Sequence, residues 1–198
     1  MRVRTRGASS LFFPVKSVRA DTNPSILAYV IYECSGLTPL EFAESTGAFA
    51  ALGIAPGDIA WEKNADGIEM IGYGMFVSVV HMAKLGQLYL QNGDSGGMPI
   101  VSRAWVQRSQ QTHAFPNYGD DFGDRYGYAW WIQGIEKPFN STFAAIGHEG
   151  QYVVLFQNYR AVLTCTSDSY FASNALVELV EENFLGERTF GACVCQRN

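Results

Sequence analysis

The stretch Ile146-Gly147-His148-Glu149-Gly150-Gln151 leads directly into the apolar run Tyr152-Val153-Val154-Leu155-Phe156. A second apolar run, Ala161-Val162-Leu163-Thr164-Cys165, follows after the polar residues 157–160. β-Branched and aromatic residues dominate both runs, and such residues favour strands. The short polar segment between them fits a turn. The stretch therefore predicts an antiparallel hairpin that is entered through a glycine-flanked His-Glu pair.

Length and charge limit the classes of function. The chain has 198 residues, 47% hydrophobic and 14% aromatic, which suits one domain or most of one. The formal net charge of −5 gives no electrostatic footprint for nucleic acid. No apolar run approaches the roughly 20 residues that span a bilayer, and the run at 11–13 is too short for a secretory signal. We expect no nucleic-acid partner and no membrane span; the compartment is unknown, with the cytoplasm as the default.

The four cysteines carry no metal or redox motif. Cys34 lies on an apolar helical pattern and Cys165 in a predicted strand, so we expect both to be small core residues. The spacing of Cys193 and Cys195 differs from the CxxC pair of zinc and redox sites. These two residues are predicted to lie in a frayed tail.

Two helices are predicted in the first quarter of the chain. Asn23 and Pro24 suit a helix start and Gly36 suits its end. A capping box of Thr38 and Glu41 opens a second helix that reaches about residue 51. One face of the first helix is apolar and consists of Ile26, Leu27, Val30, Ile31 and Cys34.

The remaining order of elements predicts the fold class. Residues 55–74 are turn-rich and irregular, after which Ser78 and Ser102 cap two more helices. The helix after Ser78 has a predicted buried side of Val79, Met82, Leu85 and Tyr89. Strands at 126–132 and 141–146, the hairpin, and a helix at 171–184 complete the pattern. Helices followed by an antiparallel sheet that they pack against indicate an α+β fold.

Six segments occur in a recognisable order: Asn23–Ala28, Gly72–Met75, Met82–Leu90, Ile100–Val106, Tyr126–Trp131 and Gly147–Gln151. Together they resemble the β-lactamase-related serine hydrolases, which include class C β-lactamases and the penicillin-binding-protein-like carboxypeptidases, esterases and amidases. The resemblance covers roughly residues 23–184. It implies a β-lactamase/transpeptidase-like fold and acyl transfer through a serine ester.

The resemblance assigns roles at the entrance to the hairpin. His148, Glu149 and Gly150 match the third motif of the family, and Gln151 would offer its backbone N–H to the oxyanion hole. A side chain at position 150 would obstruct the substrate. His148 replaces the lysine of classical β-lactamases and matches the His-x-Gly of the esterase and amidase branch. These features imply a small ester or amide substrate, with no cofactor and no metal. The candidate cleft residues are Gly72, Gly74, Trp130 and Trp131.

The family's nucleophile and proton-transfer residues have no counterpart in this sequence. No serine is followed three residues later by a lysine, so the SxxK motif is absent. Counted back from Asn23, the place of the family's tyrosine is held by Arg19, whose guanidinium stays protonated in proteins and cannot shuttle a proton. We therefore expect a truncated hydrolase, inactive alone. Its parts are an irregular segment at 1–22, the C-terminal portion of the hydrolase domain at 23–185, and a tail at 186–198.

Other interpretations stay open. The chain could be a non-catalytic remnant or binding protein of the same fold, with His148 a structural strand residue. The pentapeptide Gly93-Asp94-Ser95-Gly96-Gly97 is identical to the nucleophile motif of trypsin-like proteases, but it follows a predicted helix and not a strand. Without an upstream half, the sheet would expose an edge, so we also expect self-association through it.

Overall fold

The structure is a computed structural model that describes residues 22–115, 125–132, 142–147, 150–167, 179–180, 183 and 193–196. The helices are α1 (Thr22–Ser35), α2 (Pro39–Ser45), α3 (Ala48–Ala51), α4 (Val79–Leu90) and α5 (Arg103–Ser109). The first four strands are β1 (Ile59–Trp61), β2 (Met75–Val77), β3 (Asp94–Ser95) and β4 (Met98–Pro99). The other strands are β5 (Arg125–Tyr126), β6 (Trp131–Ile132), β7 (Thr142–Ile146), β8 (Tyr152–Phe156), β9 (Ala161–Thr166) and β10 (Cys193–Gln196).

The predicted hairpin is confirmed as the centre of a six-stranded sheet with the order β10-β9-β8-β7-β6-β5. Strands β8 and β9 pair antiparallel, with Tyr152 opposite Cys165 and Phe156 opposite Ala161. A 3₁₀ turn at Gln157–Tyr159 and the left-handed residue Arg160 join them. The predicted α+β class is also confirmed, because helices accompany a mainly antiparallel sheet.

Both faces of the hairpin are covered, which explains why its apolar runs do not alternate with polar residues. On one face, Val154, Phe156 and Leu163 belong to a cluster that also includes Val180. On the other face, Leu155 and Val162 pack with Trp130. The residues of the two clusters therefore alternate along the same two strands.

Helix α4 lies against the second of these faces at very short range. Gly86 makes this approach possible, because a Cβ atom there would lie 2.6 Å from Val162 Cγ1 and 2.9 Å from Val153 Cγ1. A hydrogen bond from the Thr164 hydroxyl to the Val79 carbonyl, 3.3 Å long, ties the start of the helix to β9. The predicted cap is also present, since the Ser78 hydroxyl accepts from the His81 N–H.

A buried carboxylate joins α2 to the hairpin of β1 and β2. Glu69 is 1% exposed and accepts hydrogen bonds from the Thr38 hydroxyl (3.0 Å) and the Leu40 N–H (3.3 Å). It also forms an ion pair with Lys63 at 3.2 Å. The predicted capping box is confirmed, since Glu41 accepts from the Thr38 N–H at 2.9 Å. This backbone donor lowers the pKa of the Glu41 carboxyl below its usual range.

The structure corrects the first predicted helices. The apolar residues Ile26, Leu27 and Val30 of α1 are at least half exposed, and Cys34 is exposed, whereas Ala28 is buried. The hydrophobic periodicity identified an apolar face of α1, but periodicity cannot show whether another element packs on that face. The second helix divides at Gly47, whose φ of +73° ends α2 before α3 begins.

Several short strands were missed because two or three residues are too few to show a period. The irregular segment at 55–74 contains β1, which pairs antiparallel with β2, and the glycine-rich loop after α4 contains β3 and β4. The single strand predicted at 126–132 is the hairpin of β5 and β6, closed by a 2.7 Å hydrogen bond from the Gly127 N–H to the Trp130 carbonyl.

The C-terminal predictions are met only in part. Most of the helix predicted at 171–184 is outside the described residues, although 179–180 are helical, with Val180 buried and Leu179 exposed. The prediction of a frayed tail is wrong for 193–196, because β10 pairs with β9, in parallel. None of the described helices is both long and apolar enough to cross a membrane.

We predict that Glu69→Ala lowers the free energy of unfolding by about 2 kcal/mol, because two donors at the start of α2 lose their buried acceptor. Urea unfolding measures the change. Glu33→Ala, on the exposed side of α1, is the matched control and should change stability by less than about 0.5 kcal/mol. Equal stability of the two variants would show that the buried carboxylate does not hold α2 in place.

Candidate active site

The site predicted from the sequence lies in the turn between β7 and β8. The Gly147 N–H donates to the Gln151 carbonyl at 2.7 Å, which extends the strand pairing one step beyond Ile146 and Tyr152. The turn is therefore held at its base by the sheet. His148 and Glu149 lie outside the described residues.

The backbone conformation at position 150 favours glycine. Its φ is +93°, a conformation that side chains with a Cβ atom rarely adopt, and the residue is buried. The sequence interpretation explained this glycine by substrate access. The structure adds a second reason, which is that the chain must reverse here to enter β8.

Gln151 anchors the turn to the neighbouring strand. Its side-chain amide donates to the carbonyl of Ser167 at 2.8 Å, just after the end of β9. Among the described residues, no protein acceptor takes the backbone N–H of Gln151. A backbone N–H held at a strand end in this way can donate to a developing oxyanion. The contact with Ser167 had no sequence signal, because the two residues are far apart in the chain.

Gly72 and Gly74, two of the candidate cleft residues, lie just before β2. The Gly74 carbonyl accepts from the Glu62 N–H at 2.9 Å, and a Cβ atom at Gly74 would lie 2.8 Å from Glu62 Cβ. At Gly74, the close backbone approach predicted from the sequence is therefore made to Glu62, just after the end of β1. Their place in a cleft stays a prediction.

Trp130 and Trp131 are on opposite faces of the sheet. Trp130 is 7% exposed and packs on Tyr89 of α4, with 4.7 Å between ring centroids. Trp131 is 8% exposed and meets Tyr126 edge to face at 5.0 Å. Both side chains are buried in the core. That either one lines a substrate cleft stays a prediction.

The structure contradicts the trypsin-like interpretation of residues 93–97. Ser95 is in β3, which pairs only with β4 in the described part of the chain. Its hydroxyl donates to the Ala51 carbonyl at 3.2 Å. His81, the upstream histidine, lies 3.7 Å from Asp58 and forms no described contact with Ser95. The described residues also contain no group of three His, Cys, Asp or Glu side chains that could hold a metal ion.

Comparison with known proteins supports the fold. No family model and no curated protein matches the chain. Among solved structures, one named as a 6-aminohexanoate-dimer hydrolase from Bacillus anthracis is similar, with a TM-score of 0.58 and 18% sequence identity. The match covers 73% of this chain and 36% of that protein, so the chain spans about a third of its length. The likeness is to a hydrolase with a β-lactamase-like fold, over part of that fold.

A pair of substitutions tests the backbone of the site. We predict that Gly150→Ala lowers the free energy of unfolding by roughly 1–2 kcal/mol, because alanine is strained at positive φ. Ala129, in the turn between β5 and β6, is a natural alanine at φ +63°, so Ala129→Gly should stabilise the protein by about 0.5–1 kcal/mol. Urea unfolding measures both. Changes of the same sign in the two variants would contradict the assigned turn geometry.

Proposed function

We propose that this chain is the C-terminal portion of a β-lactamase-related serine hydrolase that cleaves a small ester or amide through a serine acyl-enzyme. The observation that carries the proposal is the pairing of Gly147 with Gln151 at the head of β8, where no protein acceptor among the described residues takes the Gln151 N–H. The fold likeness to a hydrolase supports the same class.

In this proposal the chain supplies one wall of the site. The Gln151 N–H stabilises the negative charge that develops on the carbonyl oxygen when the serine attacks. His148 lies beside the substrate and contributes a hydrogen bond or a charge. The serine, and the lysine and tyrosine that move its proton, come from a segment outside this chain, because no serine here has a lysine three residues later.

The exposed apolar side chains of helix α1 support the proposal that such a segment packs on this chain. Its side chains Ile26, Leu27 and Val30 are 58%, 57% and 50% exposed, which is unusual for adjacent large apolar residues on one helix. A covering segment of the same fold would bury them. Self-association of the chain is the alternative way to cover this surface, and it remains a proposal.

The second candidate is a binding protein that retains the oxyanion-binding turn without chemistry. The lack of an SxxK motif and the Arg19 at the place of the tyrosine favour it. Such a protein would hold a carboxylate or carbonyl compound at the same turn.

Labelling with a fluorophosphonate separates the two candidates. We predict that this chain alone is not labelled, since it lacks the nucleophile, and that the protein translated together with its upstream coding sequence is labelled at an SxxK serine. In that longer protein, His148→Ala should reduce ester hydrolysis at least tenfold. The matched control His113→Ala, an exposed histidine whose ring bonds the Arg108 carbonyl, should leave the rate unchanged.

Two results would reject the proposal. Covalent labelling of a serine within residues 1–198 would show that the chain carries its own nucleophile. An upstream coding sequence without SxxK, together with an unlabelled product, would leave the binding protein as the correct candidate.

A further inference from the structure

The turn that follows helix α4 contains an Asn-Gly pair, the dipeptide at which asparagine loses ammonia most readily. Asn92 precedes Gly93, and the sequence contains no other Asn-Gly pair. The reaction begins when the backbone nitrogen of the next residue attacks the side-chain carbonyl carbon of the asparagine. Glycine has no side chain to obstruct that attack. Because Asn92 is exposed, burial does not prevent the reaction, and only the backbone of the turn can control it.

The backbone of this turn occupies the attacking nitrogen with a hydrogen bond. The Gly93 N–H donates to the Leu88 carbonyl at 2.8 Å, and the Asn92 N–H donates to the Tyr89 carbonyl at 3.1 Å. Asn92 is left-handed, with a φ of +56°. These two bonds and the left-handed residue form the Schellman motif that ends many helices. To react, the Gly93 nitrogen would have to leave the Leu88 carbonyl and give up its proton, so the intact helix end opposes the reaction.

We propose that Asn92 is a deamidation site that the native fold protects and that unfolding exposes. When the helix end opens, the Gly93 nitrogen loses its proton and bonds to the Asn92 side-chain carbonyl carbon. The amide C–N bond breaks, and ammonia leaves with that proton. Water then opens the resulting succinimide ring. Hydrolysis at the side-chain carbonyl gives aspartate with the original backbone, whereas hydrolysis at the backbone carbonyl gives isoaspartate, in which the main chain has one more atom.

The surroundings of Gly93 leave no room for a longer main chain. Gly93 is buried, and a Cβ atom there would lie 1.9 Å from the Val101 carbonyl oxygen. The Gly93 carbonyl accepts from the Ile100 N–H at 2.8 Å and from the Val101 N–H at 3.0 Å. An extra main-chain atom just before Gly93 would displace it from these partners. We therefore expect a chain with isoaspartate at position 92 to fail to rebuild this turn, whereas aspartate, which tolerates the left-handed conformation, allows it.

Peptide mapping of the full chain measures the protection. One sample is kept folded and another is kept in 6 M guanidinium chloride, both at pH 7.4 and 37 °C, and portions are digested with trypsin at intervals. Cleavage after Lys84 and Arg103 gives a peptide whose single asparagine is Asn92. We expect the gain of 1 Da at this residue to be at least about tenfold slower in the folded sample, because the helix end must open first. Equal rates in the two samples would overturn the proposal.

Refolding of the aged, unfolded sample tests the consequence. After dilution into native buffer, a short proteolysis removes the chains that have not refolded, and electron-transfer fragmentation distinguishes aspartate from isoaspartate in the survivors. Both products arise from one succinimide and have the same mass, so each is the control for the other. We expect aspartate at position 92 to survive and isoaspartate to be depleted at least about tenfold.

The variant Asn92→Gly is the matched control for other damage during the incubation. It keeps a residue that accepts positive φ and has no amide to lose, so its refolding yield should not fall with time in denaturant. Survival of isoaspartate in the same share as before refolding would overturn the proposed consequence. A yield that falls equally in Asn92→Gly and in the natural sequence would overturn it too, since the loss would not arise at Asn92.

Discussion

Close packing of α4 on the β8–β9 hairpin is the constraint on which the rest of the structure depends. At Gly86 no side chain fits, because a Cβ atom would lie 2.6 Å from Val162. The helix therefore covers one face of the two strands, and on the other face Phe156 and Leu163 belong to the buried cluster that includes Val180. Slippage of the hairpin by one residue would exchange the side chains of its two faces, so that Val153 and Val162 would no longer lie against Gly86.

The paired strands also fix the backbone on both sides of the proposed site at residues 147–151. The strand pair ends at Ile146 and Tyr152, and the bonds from Gly147 to Gln151 and from Gln151 to Ser167 hold the turn beyond it. Donors held in place before the substrate arrives need no reorganisation during reaction, which is the main requirement of an oxyanion hole. The fold of the chain is similar to part of a solved structure that is named as a hydrolase, and the match covers 36% of that protein. The catalytic proposal rests on this combination of rigidity and fold.

Long apolar runs and helix-capping residues correctly predicted their strands and helix starts from the sequence. Very short strands, and whether an apolar helix face is covered by another element, could not be predicted from it. The two five-residue apolar runs, the caps at Ser78 and Ser102 and the capping box of Thr38 and Glu41 are all present, because each depends on neighbours in the chain. The β1–β2 hairpin, the exposed face of α1 and the strand β10 depend on distant partners. At the site, Gly150 carried a signal, but the anchoring contact of Gln151 with Ser167 did not.

The most direct test is a crystal structure of the longer protein, including its upstream segment, after reaction with a phosphonate that mimics the tetrahedral intermediate. The account predicts that the phosphoryl oxygen accepts a hydrogen bond from the Gln151 N–H, with an N–O distance of about 2.7–3.1 Å. A phosphonate bound to a serine remote from the 147–151 turn, with the Gln151 N–H directed away from it, would contradict the account.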